Sequence, residues 1–100
     1  MTIRTASCSC GQLFAVASGE PVRISICHCL ACQRRTGSVF GSQARFGRAT
    51  VHYEIAGLED YIAIPVGAFA DSSFPAPTIS VYDSRKHAWV TVPHDAEHMA

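Results

Sequence analysis

The chain has 100 residues, of which 48% are hydrophobic, so we expect a single domain spanning residues 1–100. Eight Lys and Arg residues balance eight Asp and Glu residues, and the net charge is zero when the histidines are neutral. Because phosphate contacts need a surplus of Lys and Arg, this balance argues against a nucleic-acid-binding protein. No stretch approaches the roughly 20 apolar residues of a membrane span. Residues 1–7 also lack the apolar stretch of a signal peptide, so we expect a cytoplasmic protein with no membrane partner.

Short strands and one short helix are predicted in the first part of the chain. The strand candidates are Leu13–Ala17 and Val22–Cys27, with a turn between them at Gly19. In the second candidate apolar and polar residues alternate, as expected for a strand with one buried face. Residues Ala31–Thr36 are predicted to form a short helix that ends at Gly37.

The rest of the chain is also predicted to form strands. The remaining strand candidates are Ser38–Phe46, Val51–Ile55, Tyr61–Val66, Thr78–Tyr82 and Ala88–Val92. Pro65 cannot donate a backbone hydrogen bond, which predicts an edge or bulged strand there. Asp71–Pro77 reads as a loop, and His94–Ala100 as a frayed or weakly helical tail. The pattern predicts a mainly β domain of antiparallel strands.

Side chains outside the cysteine groups are expected to have ordinary structural roles. We expect aromatic residues to lie in the core or half-buried in the sheets, namely Trp89, Tyr53, Tyr82, Phe40, Phe46 and Phe69. His87, His94 and His98 are expected at the surface. Asp71 and Asp83 are expected to bond local backbone beside turns.

All five cysteines lie between Cys8 and Cys32, in two groups. In a reducing compartment, cysteines are more often metal ligands or catalytic thiols than disulfides. Cys27 and Cys29 project to the same face of an extended segment, and Cys29 and Cys32 have the spacing of a zinc knuckle. Three thiolates leave the fourth position of a tetrahedral zinc ion open, which is typical of catalytic zinc.

The remaining residues of the two groups allow alternatives. His28 lies between two cysteines and would point away from a metal that they share. We expect a surface histidine or one that supports a ligand, and the alternative is a fourth ligand or a proton carrier. Cys8 and Cys10 could face one ion, but two ligands do not complete a closed site. They could equally be a pair of buried or free thiols.

Both cysteine groups resemble a known family. The first stretch is Ser7-Cys8-Ser9-Cys10-Gly11, and the second is Cys27-His28-Cys29-Leu30-Ala31-Cys32-Gln33-Arg34-Arg35-Thr36-Gly37-Ser38. They resemble the glutathione-dependent formaldehyde-activating enzyme family, which includes centromere protein V-like proteins. Ile64–Phe69 and His87–Val90 are similar to its later strands. The resemblance implies small twisted antiparallel sheets of the Mss4-like, zinc-binding fold.

The resemblance also implies two zinc sites. It assigns Cys27, Cys29 and Cys32 to a catalytic zinc, and Cys8 and Cys10 to half of a structural zinc. The other half is normally a later Cys-x-x-Cys, and this chain has no cysteine after Cys32.

Family members usually carry a further stretch between the strands that match Ser38–Phe46 and Val51–Ile55. We therefore expect a shortened form in which Cys8 and Cys10 recruit a histidine such as His52, use another subunit or stay metal-free. A shortened sheet would expose its edges, and a homodimer would cover them.

The implied activity is that of a carbon–sulfur lyase that makes or breaks the adduct of glutathione, or another thiol, with formaldehyde. Zinc could bind the thiol as thiolate or polarise the aldehyde oxygen. Arg34 and Arg35 are candidates for binding the carboxylates of glutathione, with ordinary surface charge as the alternative. The other hypotheses are a non-catalytic zinc-binding module for a protein partner, and a thiol-based redox or metal-handling protein.

Overall fold

A computed structural model describes residues 2–47, 50–53 and 61–100. The chain divides into two compact units. The first unit comprises Met1–Val22 and Ala44–Phe74, and the second comprises Arg23–Gln43 and Pro75–Ala100. The described residues form short strands with one α-helix, so the predicted mainly β class is confirmed. None of the helices in the described ranges has the length and apolar character that a membrane crossing requires.

The first unit contains an antiparallel sheet in the order β1-β2-β5. Its strands are β1 (Ile3–Ser7), β2 (Phe14–Ser18) and β5 (Val51–Tyr53). The strands β1 and β2 form a hairpin in which Ser7 lies opposite Phe14. The predicted strand Val51–Ile55 is therefore present up to Tyr53, and its last two residues lie outside the described residues.

The core of the first unit is built from alanines and aromatic rings. Its buried apolar residues are Ala6, Ala17, Ala44, Phe46, Ile64 and Phe69. The ring of Phe69 packs 6.1 Å from Phe46 and 4.8 Å from Phe74, measured between centroids. The Arg4 guanidinium lies 4.9 Å above the Phe74 ring and covers it from solvent. A 3-10 helix at Val66–Phe69 follows β6 (Tyr61–Pro65) and carries Phe69 into this core.

The second unit carries α1 (Leu30–Thr36) and the strand order β3-β7-β8. The strands are β3 (Arg23–Cys27), β7 (Ile79–Val81) and β8 (Glu97–His98). β4 (Gly41–Gly47) begins beside β3, where the Ser42 hydroxyl donates to the Ser25 carbonyl over 3.0 Å, and continues into the first unit. The buried apolar residues of the second unit are Ile24, Ile26, Ile79, Val90 and Ala96. Ile24 and Ile26 confirm the alternation predicted for β3.

Strand pairing in the second unit differs from the antiparallel prediction. β7 pairs in parallel with β3, with Ser80 opposite Ile26, and in parallel with β8, with Ser80 opposite His98. The tail is therefore not frayed or helical, because its residues complete the sheet at Glu97–His98. The parallel pairing follows from long connections, which bring distant segments together in the same direction.

Three further expectations for this unit are wrong. Ala88–Val92 contains a turn instead of a strand, and the Val90 N–H donates to the His87 carbonyl over 3.0 Å. Trp89 lies on this turn and is 71% exposed, so it is not a core residue. Tyr82 is also exposed, and it adopts a left-handed conformation at φ 57° immediately after β7.

Candidate metal centre

The second cysteine group, Cys27, Cys29 and Cys32, lies at the junction between β3 and α1. Cys27 is the last residue of β3, and the N–H of His28 donates to the Val81 carbonyl over 3.1 Å, which extends the pairing with β7. Cys29 is the N-cap of α1, because its backbone is extended and its Sγ accepts the Cys32 N–H over 3.3 Å. All three cysteines therefore belong to one strand-to-helix junction: Cys27 ends the strand, Cys29 caps the helix, and Cys32 lies in its first turn.

The helix α1 ends at a left-handed glycine C-cap. Gly37 adopts φ 71°, and its N–H donates to the Gln33 carbonyl over 2.9 Å. A left-handed residue costs least when it is glycine, which explains why the predicted helix ends there. The prediction of a short helix ended by Gly37 is confirmed.

The three thiols of this junction converge on one point. The Sγ atoms of Cys27, Cys29 and Cys32 all lie within 4.8 Å of one another. Sulfur ligands at about 2.3 Å from a tetrahedral zinc ion lie about 3.8 Å apart, so small side-chain movements would place them around one ion. Among the described residues, these cysteines form the group that could hold a metal ion.

The thiols influence one another electrostatically. The pKa of Cys27 is raised to about 12, mainly by burial and in part by contacts with the side chains of Cys32 and Cys29, while a hydrogen bond from the Cys29 backbone lowers it. The N–H of Cys32 is the main cause that lowers the pKa of Cys29, because it stabilises the thiolate. Ionising Cys27 beside these sulfurs is therefore unfavourable unless a cation shares the site.

His28 is buried, so it is not the surface histidine that one of the two expectations allowed. Its side chain is wholly buried, and its Nε2 lies 3.0 Å from the Ser80 hydroxyl. The Phe40 ring packs against its edge, with centroids 6.3 Å apart. Burial lowers the pKa of His28, which favours the neutral ring. The ring is not part of the group of side chains that could hold a metal ion, and its Nδ1 has no hydrogen-bond partner among the described residues.

A hydrogen-bonded chain continues from His28 toward solvent. The Ser80 hydroxyl donates to Asp83 Oδ1 over 2.5 Å, and Asp83 Oδ2 lies 2.6 Å from Nδ1 of the exposed His98. Burial would raise the pKa of Asp83, but the bonds from Ser80 and His98 lower it below its ordinary value. Asp83 therefore does not bond local backbone as expected. Because an ionised Asp83 can only accept, Ser80 must accept its other bond from the His28 Nε2–H.

Gln33 fixes the segment from Cys27 to Cys32 from the helix side. Its Nε2 donates to the His28 carbonyl over 2.8 Å and to the Arg85 carbonyl over 3.3 Å. Its Oε1 lies 3.1 Å from Nε2 of His87, which is exposed as expected. Arg85 and His87 are distant in the chain from the cysteines, so the motif spacing could not identify them as partners of Gln33.

The two predicted carboxylate-binding arginines lie in the last turn of α1 and are exposed. Arg35 lies over Gly41, because a Cβ built on Gly41 would meet Arg35 Nη2 at 3.1 Å and the Cys32 Cβ at 3.6 Å. This contact places the Arg35 guanidinium near the face that carries Cys32. Arg34 forms no ion pair with any carboxylate in the part of the chain that the structure describes.

Cys8 and Cys10 occupy the loop of the β1–β2 hairpin in the first unit. Their Sγ atoms are 3.4 Å apart, and Cys8 Sγ accepts the Leu13 N–H over 3.2 Å. That N–H is the main cause that lowers the pKa of Cys8 to about 7, with a further contribution from Cys10. No third potential ligand joins them among the described residues. The side chain of His52, the suggested partner, lies outside the described part, so metal binding here stays a prediction.

The sequence profile of the glutathione-dependent formaldehyde-activating enzyme family matches residues 3–58 of the chain. The chain belongs to this family. The matched range contains both cysteine groups and α1, as the resemblance predicted. The later segments Ile64–Phe69 and His87–Val90 lie outside it. The structure has a strand in the first only up to Pro65 and a turn in the second, so their expected assignment to later strands is wrong beyond Pro65. A comparison with curated proteins gives no significant match.

Proposed function

We propose that Cys27, Cys29 and Cys32 hold a zinc ion and that the chain acts as a carbon–sulfur lyase on the adduct of glutathione, or another thiol, with an aldehyde. One observation carries this proposal. Three thiols from a six-residue segment converge within 4.8 Å, inside the range that matches the family. The family's description supplies glutathione and formaldehyde as the substrates to test first.

The donor set fits zinc in an open site. Thiolates are soft ligands that select zinc over hard cations such as magnesium. Three protein ligands leave one position for a thiol, an aldehyde oxygen or water, which a closed structural site lacks. When bound, zinc would supply Lewis acidity and would stabilise a thiolate at neutral pH.

The protein's own groups would bind and orient the thiol substrate. Glutathione carries two carboxylates, and the exposed guanidinium groups of Arg34 and Arg35 can each form paired hydrogen bonds with one. The proximity of Arg35 to the Cys32-bearing face supports a role for it in binding a substrate carboxylate beside the metal site. His28, Ser80 and Gln33 hold the ligand segment in place through their hydrogen bonds. A reducing cytoplasm would keep the thiols available for this chemistry.

Zinc content is the first test of the metal site. Elemental analysis of freshly purified protein should give near one zinc per chain, and Cys29→Ser should lose it. Cys10→Ser is the matched control, because it removes a thiol outside the site and should retain the ion. Wild-type protein without zinc would remove the basis of the proposal.

Activity requires a separate test. Exchange between free formaldehyde and the hydroxymethyl adduct of glutathione can be followed by NMR. Zinc-loaded wild type should accelerate the exchange over the uncatalysed rate, and Cys29→Ser should not. If zinc is bound and the two proteins give the same rate, the lyase assignment is wrong even though the metal site is right.

A non-catalytic zinc-binding module is the second candidate. It is favoured by the exposure of large apolar side chains in the second unit, Trp89 at 71% and Leu30 at 49%. Leu30 is the first residue of α1 and directly follows the ligand Cys29. Zinc binding without catalysed exchange in the NMR experiment would favour this reading.

A further inference from the structure

We infer that Cys8 and Cys10 form a redox-active dithiol, which a low-molecular-weight disulfide converts into a reversible Cys8–Cys10 disulfide. The two sulfurs lie 3.4 Å apart and both cysteines are at least partly exposed. A disulfide bond needs about 2.05 Å between sulfurs, so the pair has to close by little more than an ångström. This inference is independent of the proposed function, because it involves neither Cys27, Cys29 nor Cys32.

The loop keeps the two sulfurs together. The Cys8 N–H donates to the Leu13 carbonyl over 3.0 Å, and the Gly11 N–H donates to the Cys8 carbonyl over 3.0 Å. Gly11 adopts φ 78°, which reverses the chain directly after Cys10. The hairpin strands hold both ends of this loop, so the sulfurs stay neighbours without a metal ion.

Cys8 is the sulfur that would react first. Its Sγ accepts the Leu13 N–H over 3.2 Å, and a hydrogen bond to sulfur favours the thiolate, which is the nucleophile in thiol–disulfide exchange. Cys8 also lines an open apolar groove of about 290 Å³ with Leu13, Phe14 and Ala68, so a disulfide can reach it. Cys10 is more exposed than Cys8 and stands beside it as the resolving thiol.

The proposed exchange has two balanced steps. The Cys8 thiolate attacks one sulfur of the disulfide, the S–S bond breaks, and one thiolate leaves and takes a proton from water. Cys10 then gives its proton to water and attacks the Cys8 sulfur, which forms the Cys8–Cys10 bond and expels the second thiol. The two cysteines lose two electrons and two protons, and the low-molecular-weight disulfide gains them.

Trapping the thiols after incubation with oxidised glutathione tests this inference. The full-length protein as purified is treated, quenched with an alkylating reagent and analysed by peptide mass mapping. In wild type, alkylation of Cys8 and Cys10 should be lost together and return after reduction. Cys10→Ser should instead accumulate one glutathionyl group on Cys8, because the resolving thiol is missing. Cys8→Ser should accumulate it at least about fivefold more slowly, because Cys10 receives no N–H bond from Leu13.

Two results would overturn the inference. One is that Cys8 and Cys10 stay fully alkylated at glutathione ratios that oxidise an exposed model dithiol. The other is a second zinc per chain that Cys10→Ser removes, because the pair would then be metal ligands. Either result leaves the test of the Cys27-Cys29-Cys32 site unchanged, since that test depends on Cys29→Ser.

Discussion

The Nε2 atom of His28 lies 3.0 Å from the hydroxyl of Ser80, and both side chains are wholly buried. This bond joins the segment from Cys27 to Cys32 to β7, because His28 lies between Cys27 and Cys29 in the chain and Ser80 is the central residue of β7. The position of two of the three thiols therefore depends on a residue from the far end of the sequence.

Removing the Ser80 hydroxyl should destabilise the protein. In Ser80→Ala the buried His28 Nε2 loses its partner, and an unpaired buried polar group costs about 1–3 kcal/mol. Urea unfolding of zinc-loaded protein measures the loss. Ser84→Ala is the control, because Ser84 is exposed on the next turn and its substitution should change stability by less than about 0.5 kcal/mol. Equal stability of the two variants would mean that the bond contributes nothing.

The two arginines should contribute to affinity for an anionic thiol. We expect the double variant Arg34→Ala, Arg35→Ala to bind glutathione about tenfold more weakly, since a lost pair of charge-assisted contacts costs about 1.4 kcal/mol. Calorimetric titration on zinc-loaded protein measures this. Arg45→Ala removes an exposed arginine of β4 and should leave the affinity unchanged. A double variant with wild-type affinity would remove the arginines from the binding site.

A methyl group at Gly41 should displace the Arg35 guanidinium. In Gly41→Ala the new Cβ meets Arg35 Nη2 at 3.1 Å, so the guanidinium must move, and glutathione should bind several-fold more weakly. Zinc content should stay the same, because the Cys32 Cβ is at an ordinary contact distance of 3.6 Å. Gly47→Ala in the same strand has no atom within 4 Å of its Cβ and serves as the matched control. Unequal zinc contents of the two variants would contradict this explanation.

Alkylation of Cys8 should depend on pH with a midpoint near neutrality. The thiolate is the reactive form, and the Leu13 N–H and the Cys10 thiol lower the pKa of Cys8 to about 7. The iodoacetamide rate at Cys8 should therefore rise with pH through about 7 and level off above it. A free thiol with a pKa of about 8.5 would still be gaining reactivity there. Peptide mapping of the wild-type protein across this range, with fragmentation that distinguishes the two cysteines, gives the rate for Cys8 while Cys10 is still present.

The local parts of the fold could be predicted because their signals are local. Alternation of apolar residues predicted β3, and Gly37 predicted the end of α1. The spacing of Cys27, Cys29 and Cys32 predicted their convergence because only six residues are involved.

The remaining parts depend on pairings that no local pattern encodes. β8 has two residues and is stabilised as a strand by its position beside β7. From the sequence, Asp83 is predicted to be an ordinary turn residue. Its bonds to Ser80 and His98 form only in the folded chain, so no local pattern could predict them. Trp89 was predicted to lie in the core because it is large and apolar. No pattern in the sequence indicates the turn that exposes it. β1 was not predicted, because its five residues have only a weak apolar pattern: the polar Arg4 and Thr5 lie side by side within it.

The strand-to-helix junction that carries Cys27, Cys29 and Cys32 has a consequence for the order of events during synthesis. Binding one ion to all three thiols closes only very short loops, and short closures cost little chain entropy. A zinc ion could therefore be captured as soon as this segment leaves the ribosome, before β7 and β8 exist to pair with β3. Early capture would fix the first turn of α1 and give the later strands a formed edge on which to assemble.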